Sequence, residues 1–232
     1  MYATLPLRRL VAVLGWPAAI ILAVLIIMCG VPGSPTEWGR TIGSAITLWG
    51  FLLLIVMGSS SRWSPWRVFW WLIPGLNRWI FPDLNGAWHG KTCSNWTVVK
   101  RVRDAAINSG GIKAEDLEDV PLQEDNLTIN VKASLFSLRV TAELSSTGAT
   151  SHSLTARVAK NETRDEFELF YIYCQETPEA RLTDESTHLG AAILNINLDD
   201  WILSGQYWNK RRWRVGNNTA GLIRLRRMSR FV

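Results

Sequence analysis

From Leu10 to Cys29 the chain runs twenty residues without a charged side chain. At about 1.5 Å per residue a helix over that run is roughly 30 Å long, which is the thickness of a bilayer's hydrocarbon core. A second run, Ile42 to Met57, is shorter and bounded by Arg40 and Arg62. Together they predict two transmembrane helices, a multi-pass anchor occupying residues 1–61. Pro17 sits in the early turns of the first run, where neighbouring segments satisfy a freed carbonyl. A cleaved signal peptide is the other reading, because Arg8 and Arg9 precede the run. Its length and the span that follows at once argue against that.

Arginine placement orients the pair. Arg8 and Arg9 precede the first span, and Arg62, Arg67 and Arg78 follow the second. The connecting loop, Gly30 to Arg40, carries only Arg40, balanced by Glu37. Both termini are therefore expected in the cytoplasm, with a short external hairpin. Gly39 and Gly43 lie four apart, a spacing that lets helices approach closely. Residues 62–82 interleave Trp63, Trp66, Trp70, Trp71 and Trp79 with three arginines. That composition predicts an interfacial linker at the headgroup layer. The rival reading makes it a core helix of the domain that follows.

Charge confirms a division near residue 83. Residues 1–84 hold six Arg and two acids, whereas the remainder holds 19 Lys/Arg and 18 Asp/Glu. The basic excess thus flanks the membrane segments, where anionic lipid attracts it. The three cysteines are scattered with no CxxC spacing, which argues against a disulfide framework or a zinc site.

Past Asp83 the hydrophobic period changes to two. Strands are predicted at Ala87–Ser94, Asn126–Ala133, Leu135–Ser145, Ser151–Lys160, Glu166–Gln175, His188–Leu198, Ile202–Trp208 and Ala220–Met228. Phe136, Leu138, Val140, Ala142 and Leu144 share one face; Phe167, Leu169, Tyr171 and Tyr173 share another. A helical stretch over Val98–Leu117 covers one end. Consecutive strands with short turns predict an all-β, eight-stranded up-and-down barrel over 83–232. Asn85-Gly86-Ala87-Trp88 resembles the Gly-x-Trp entry of lipocalin-like barrels. In those, a first-strand Trp packs at the closed end against an Arg of the last strand, a role open here to Arg224 or Arg226.

Catalytic chemistry has little to stand on. His89, His152 and His188 lie in no metal-ligand spacing, and there is no nucleophile elbow or phosphate loop. Asp199-Asp200 and Asp184-Glu185 fall where turns are expected. The sequence points to a binding protein, not an enzyme, with no cofactor.

Spaced residues in the second half carry a family likeness: Leu169-x-Tyr171-x-Tyr173, His188-x-Gly190 with Leu194, Gly205-x-Tyr207, Arg211-Arg212 and Gly221-x-Ile223-x-Leu225. With two spans and a barrel, the chain resembles the SMODS-associating two-transmembrane β-strand-rich effectors of bacterial anti-phage signalling (CBASS). The resemblance implies a barrel that senses a cyclic dinucleotide made by a partner cyclic-oligonucleotide synthase (CD-NTase). It also implies homo-oligomerisation on binding, contact with membrane lipids, disruption of the cell inner membrane, and death or growth arrest. One departure is Trp208-Asn209-Lys210, where a small hydroxylated residue is expected.

Such a ligand presents flat bases, which want aromatic faces, and phosphates, which want Arg or Lys. Tyr171, Tyr173 and Tyr207 suit the bases. Arg224 and Arg226 on the last strand, with Lys132 and Arg157 on central strands, suit the phosphates. His188 completes the candidate site. The plainer readings are core packing for the tyrosines, a structural role for His188 and a lipid-facing surface for the basic C-terminal segment. A membrane-tethered lipocalin-like barrel that binds a lipid or other hydrophobic ligand is the alternative function.

Overall fold

The computed structural model describes residues 7–57, 64–108, 110–134, 137–161, 163–178, 180 and 185–229; in the first segment, side chains are described over 15–52. Helix α1 (Leu7–Cys29) ends where Gly30 takes φ +86°, the left-handed conformation suited to a helix C-terminus. Helix α2 (Pro35–Met57) begins well before the apolar run at Ile42. The cause is a local cap. Ser34 Oγ accepts the Glu37 N–H at 3.3 Å, and the Glu37 carboxylate accepts the Gly33 N–H at 2.7 Å. Proline at the first helical position suits the same start. The connecting loop is accordingly shorter than expected, and Glu37 and Arg40 ride on α2.

The two helices pack against each other, and Ala45 is buried. Apolar side chains on both are nonetheless well exposed: Trp16, Ile20, Ile27 and Met28 on α1, Ile46 and Phe51 on α2. A Cβ on Gly39 or Gly43 would meet nothing within 4 Å, so α1 does not pack on that face. Among the described residues, no helix is long and apolar enough to cross a membrane.

Short helices α3 (Pro65–Leu72) and α4 (Leu76–Trp79) lead into the strands. These are β1 (Gly86–Ser94), β2 (Gln123–Ala133), β3 (Leu138–Leu144), β4 (Thr150–Asn161), β5 (Glu166–Glu176), β6 (Thr187–Asn197), β7 (Ile202–Asn209) and β8 (Ala220–Ser229). Each pairs antiparallel with the next, and β8 returns to β1, closing an eight-stranded barrel with no free edge. The expected strands all appear, shifted by at most a few residues. Phe136 lies outside the described residues. Between β1 and β2 the chain forms α5 (Trp96–Ile107) and α6 (Glu115–Glu118), two pieces where one helical stretch was expected.

Period two decides what fills the barrel. Trp88, Ile129, Val140, Leu169, Leu194, Leu203 and Leu225 point inward and are at most 2 % exposed. The seam between β3 and β4 is thin: three residue pairs, Thr141–Glu143 against His152–Thr150. There a β4 bulge between Ser153 and Thr155 turns Leu154 outward, and Ser153 Oγ accepts the Val140 N–H at 3.0 Å.

One end of the barrel is plugged. The Arg227 guanidinium lies 5.4 Å from the Trp88 ring and 4.4 Å from the Trp201 ring. Its Nη2 donates to the carbonyls of Asp83, at 2.8 Å, and Asn85. The last-strand arginine that meets the first-strand tryptophan is therefore Arg227, not Arg224 or Arg226. Parity explains this: inward Ile223 and Leu225 put Arg224 and Arg226 outside.

Helix α3 docks on the same end. Arg67 Nε meets Asp83 Oδ2 at 3.2 Å, with side chains only 6 % and 14 % exposed. Trp66 is buried beside Trp70 and Phe81, and Trp70 Nε1 donates to the Phe81 carbonyl at 2.8 Å. Phe69, Trp71, Leu72 and Trp79 face outward. The linker is thus divided by face: one side belongs to the barrel's base, and the other is bare aromatic surface.

Candidate ligand cavity at the open end

The inward side chains of β5 change character along the strand. Phe167 and Leu169 are core; Tyr171 and Tyr173 follow; then come Gln175 and, past the strand end, Thr177. The other strands make the same transition. The result is a cavity of about 540 Å³ at the end opposite the plug, inside the range of small-molecule sites.

Aromatic faces occupy its deeper wall. Tyr171 and Tyr173 have ring centroids 5.8 Å apart and inclined by 44°. Tyr207 lines the cavity from β7, and Trp96, at the start of α5, lines its mouth. Two glycines make room for this arrangement. Gly190 pairs with Tyr173 across β5 and β6, and a Cβ there would fall inside the Tyr173 ring. Gly221 pairs with Tyr207 across β7 and β8, and its added Cβ would crowd the Tyr207 ring and the Cys93 carbonyl. Both tyrosines therefore lie across a neighbouring strand instead of standing away from it.

Burial pushes the Tyr171 phenol well above its ordinary value. Tyr173 is raised by burial first, then by its neighbours Tyr171 and Tyr207. Both therefore act as neutral hydroxyls that can donate and accept hydrogen bonds.

Among the described residues, Arg211 is the one lysine or arginine lining the cavity. Its guanidinium lies 4.5 Å from the Trp96 ring, and its Nε donates to the Asn217 carbonyl at 3.3 Å. The loop after β7 holds it there. Asn209 Nδ2 donates to Thr219 Oγ1 at 2.7 Å, and Asn209 Oδ1 accepts the Thr219 N–H at 3.0 Å. Asn209, at the departure from the family pattern, thus staples this loop and lines the cavity, while Trp208 faces outward.

The expected site residues separate into two groups. Tyr171, Tyr173, Tyr207 and His188 all line the cavity, with His188 buried on β6 beside Gln175. Lys132, Arg157, Arg224 and Arg226 are exposed on the outer wall. Lys132 sits opposite Arg139, Arg157 lies 5.3 Å from the Phe170 ring, and Arg224 and Arg226 follow outward Leu222 along the same face of β8. Strand parity keeps these four candidates for the phosphates out of the cavity, since buried Val131, Val158 and Leu225 take the inward positions beside them. Sequence reasoning quoted Arg211 in a motif and passed over Trp96. Neither lies on a strand, so no periodicity marks its direction.

Aromatic faces, a single guanidinium, one carboxylate (Asp125) and a collar of hydroxyls and amides suit a flat, ring-bearing anion that also carries hydrogen-bond donors. A plugged barrel with such an open end defines a small-molecule receptor. Residues 79–227 match the family model described as Cap15, cyclic dinucleotide receptor domain. CD-NTase-associated protein 15 of Escherichia albertii is 32 % identical over 161 residues, 69 % of this chain and 69 % of that protein. The chain belongs to the Cap15 family of CBASS effectors, as the resemblance implied.

Proposed function

We propose that this chain is a nucleotide-gated membrane effector that binds a cyclic dinucleotide at the open end of its barrel. The cavity itself carries the reading: Tyr171, Tyr173, Tyr207 and Trp96 surround it, with Arg211 at the mouth. Bases stack on the aromatic faces, each contact contributing about 1–3 kcal/mol. One phosphate meets the Arg211 guanidinium; the remaining phosphate oxygens and base edges meet polar groups such as His188, Gln175 and Thr219. No bond is made or broken by the effector.

The signal comes from a partner CD-NTase, and binding drives homo-oligomerisation. Residues 1–61 lie in the bacterial inner membrane, with both termini and the barrel cytoplasmic. Three features support this placement: the uncharged run Leu10–Cys29, the bare apolar side chains of α1 and α2, and the exposed tryptophans of the 62–82 linker. Thr41 and Thr47 donate to carbonyls one turn back, at 2.9 and 2.8 Å, which hides their hydroxyls within the helix. Assembly of the helices then disrupts the bilayer, and the cell dies or stops growing.

A hydrophobic-ligand barrel is the second reading, and the polar groups Asp125, Gln175 and Arg211 in the cavity wall speak against it. Calorimetry on the purified full chain with a panel of cyclic dinucleotides tests the proposal. Binding is expected, with an Arg211→Ala loss of about tenfold or more, as for a hydrogen bond to a charged group, and little change for Arg224→Ala. No heat with any cyclic dinucleotide would sink it.

A further inference from the structure

One charged group in the cavity has no obvious use in holding an anion. Inward parity on β2 carries Leu127, Ile129 and Val131 into the core and, further up, Asp125 into the cavity wall. Asp125 Oδ1 accepts the Asn126 N–H at 2.8 Å, and Oδ2 accepts the Ser146 hydroxyl. Among the described residues no lysine or arginine pairs with it. A carboxylate offers about four acceptor sites, so two neutral donors leave it unfilled.

Such a group repels a ligand that carries two phosphates, unless the ligand brings donors to it. The phosphates have Arg211 on the loop between β7 and β8. What remains for Asp125 is a base edge, and the edges differ. Guanine sets N1–H beside the N2 amine, two adjacent donors that fit the two oxygens of a carboxylate. Adenine and cytosine each set one amine beside a ring acceptor, and uracil flanks its single N–H with two carbonyls. An acceptor lone pair facing a carboxylate is unfavourable.

We infer that Asp125 is a specificity-determining residue, reading the N1–H and N2 amine of a guanine in the bound cyclic dinucleotide. This rests on the receptor function proposed above. Ser146 and the Asn126 N–H hold the carboxylate in place, so its direction is set before the ligand arrives.

The test compares the purified full chain with Asp125→Asn, which keeps shape and the ability to accept from Ser146. Both are titrated with cyclic di-GMP, cyclic di-AMP, cyclic di-UMP and the inosine analogue of cyclic di-GMP, which lacks only the N2 amine. The wild type should bind the guanine form at least tenfold more tightly than the inosine form. Asp125→Asn should reduce that ratio to within about threefold. Equal wild-type affinity for guanine and inosine forms overturns the assignment without reference to any variant, as does a guanine preference that survives in Asp125→Asn. Binding of no cyclic dinucleotide at all overturns the receptor reading together with this one, and so separates the two failures.

Discussion

A tyrosine lying over a glycine decides the shape of the cavity at the residue scale. The Tyr173 ring occupies the space that any Cβ at Gly190 would take. Gly190→Ala should therefore turn the ring into the cavity, at about 1–3 kcal/mol of stability, and weaken nucleotide binding more than tenfold. Thermal melts and calorimetry on the same sample would read both, and unchanged binding would mean that the ring's position is immaterial. The buried phenols also set an alkaline limit. Native Tyr171 and Tyr173 keep protons that the unfolded chain releases above about pH 10. The stability they confer is complete below that pH and falls as pH rises further, by up to about 1.4 kcal/mol per unit for each phenol. Tyrosinate absorbance should lag behind that of the unfolded chain, and the Tyr171→Phe/Tyr173→Phe pair should flatten the alkaline loss of melting temperature.

At the scale of elements, the base of the barrel is one piece with α3. The Arg67–Asp83 pair joins the helix to the segment before β1, while Arg227 holds that segment's carbonyls from β8. Asp83 also accepts from Asn85 Nδ2, at 2.7 Å, and Asn85 bonds the backbone of Ala133 on β2. Asp83→Ala removes the carboxylate that the buried Arg67 guanidinium meets, and should cost about 3–5 kcal/mol in chemical denaturation. A loss under 1 kcal/mol would mean that water reaches Arg67.

The whole molecule is a plugged barrel preceded by a pair of apolar helices, and its two ends differ: the open end holds the cavity, and the plugged end carries α3. Deleting residues 1–60 should leave a folded, soluble barrel that no longer arrests growth when expressed with an active synthase. Aggregation of that fragment would mean that the outward tryptophans of the linker need a bilayer. A reporter fused at Val232 should be active only in the cytoplasm; activity outside would remove the sensor from its signal.

Alternation along each strand, the turn residues between strands and the entry Gly86-x-Trp88 made the barrel legible, because strand formation and burial parity are local properties that repeat every second residue. The aromatic wall followed, since Tyr171 and Tyr173 continue the inward face begun by Phe167 and Leu169. What locality left open was direction: whether an arginine on β8 points in or out depends on the barrel's closure with β1, and a shift of one residue reverses the answer. Arg224 and Arg226 went outward, and Arg227 became the plug, for that reason. Arg211 belongs to a loop and Trp96 to the first turn of α5, so neither follows the two-residue period of the strands. Only the folded chain brought them together across the mouth, more than a hundred residues apart in sequence.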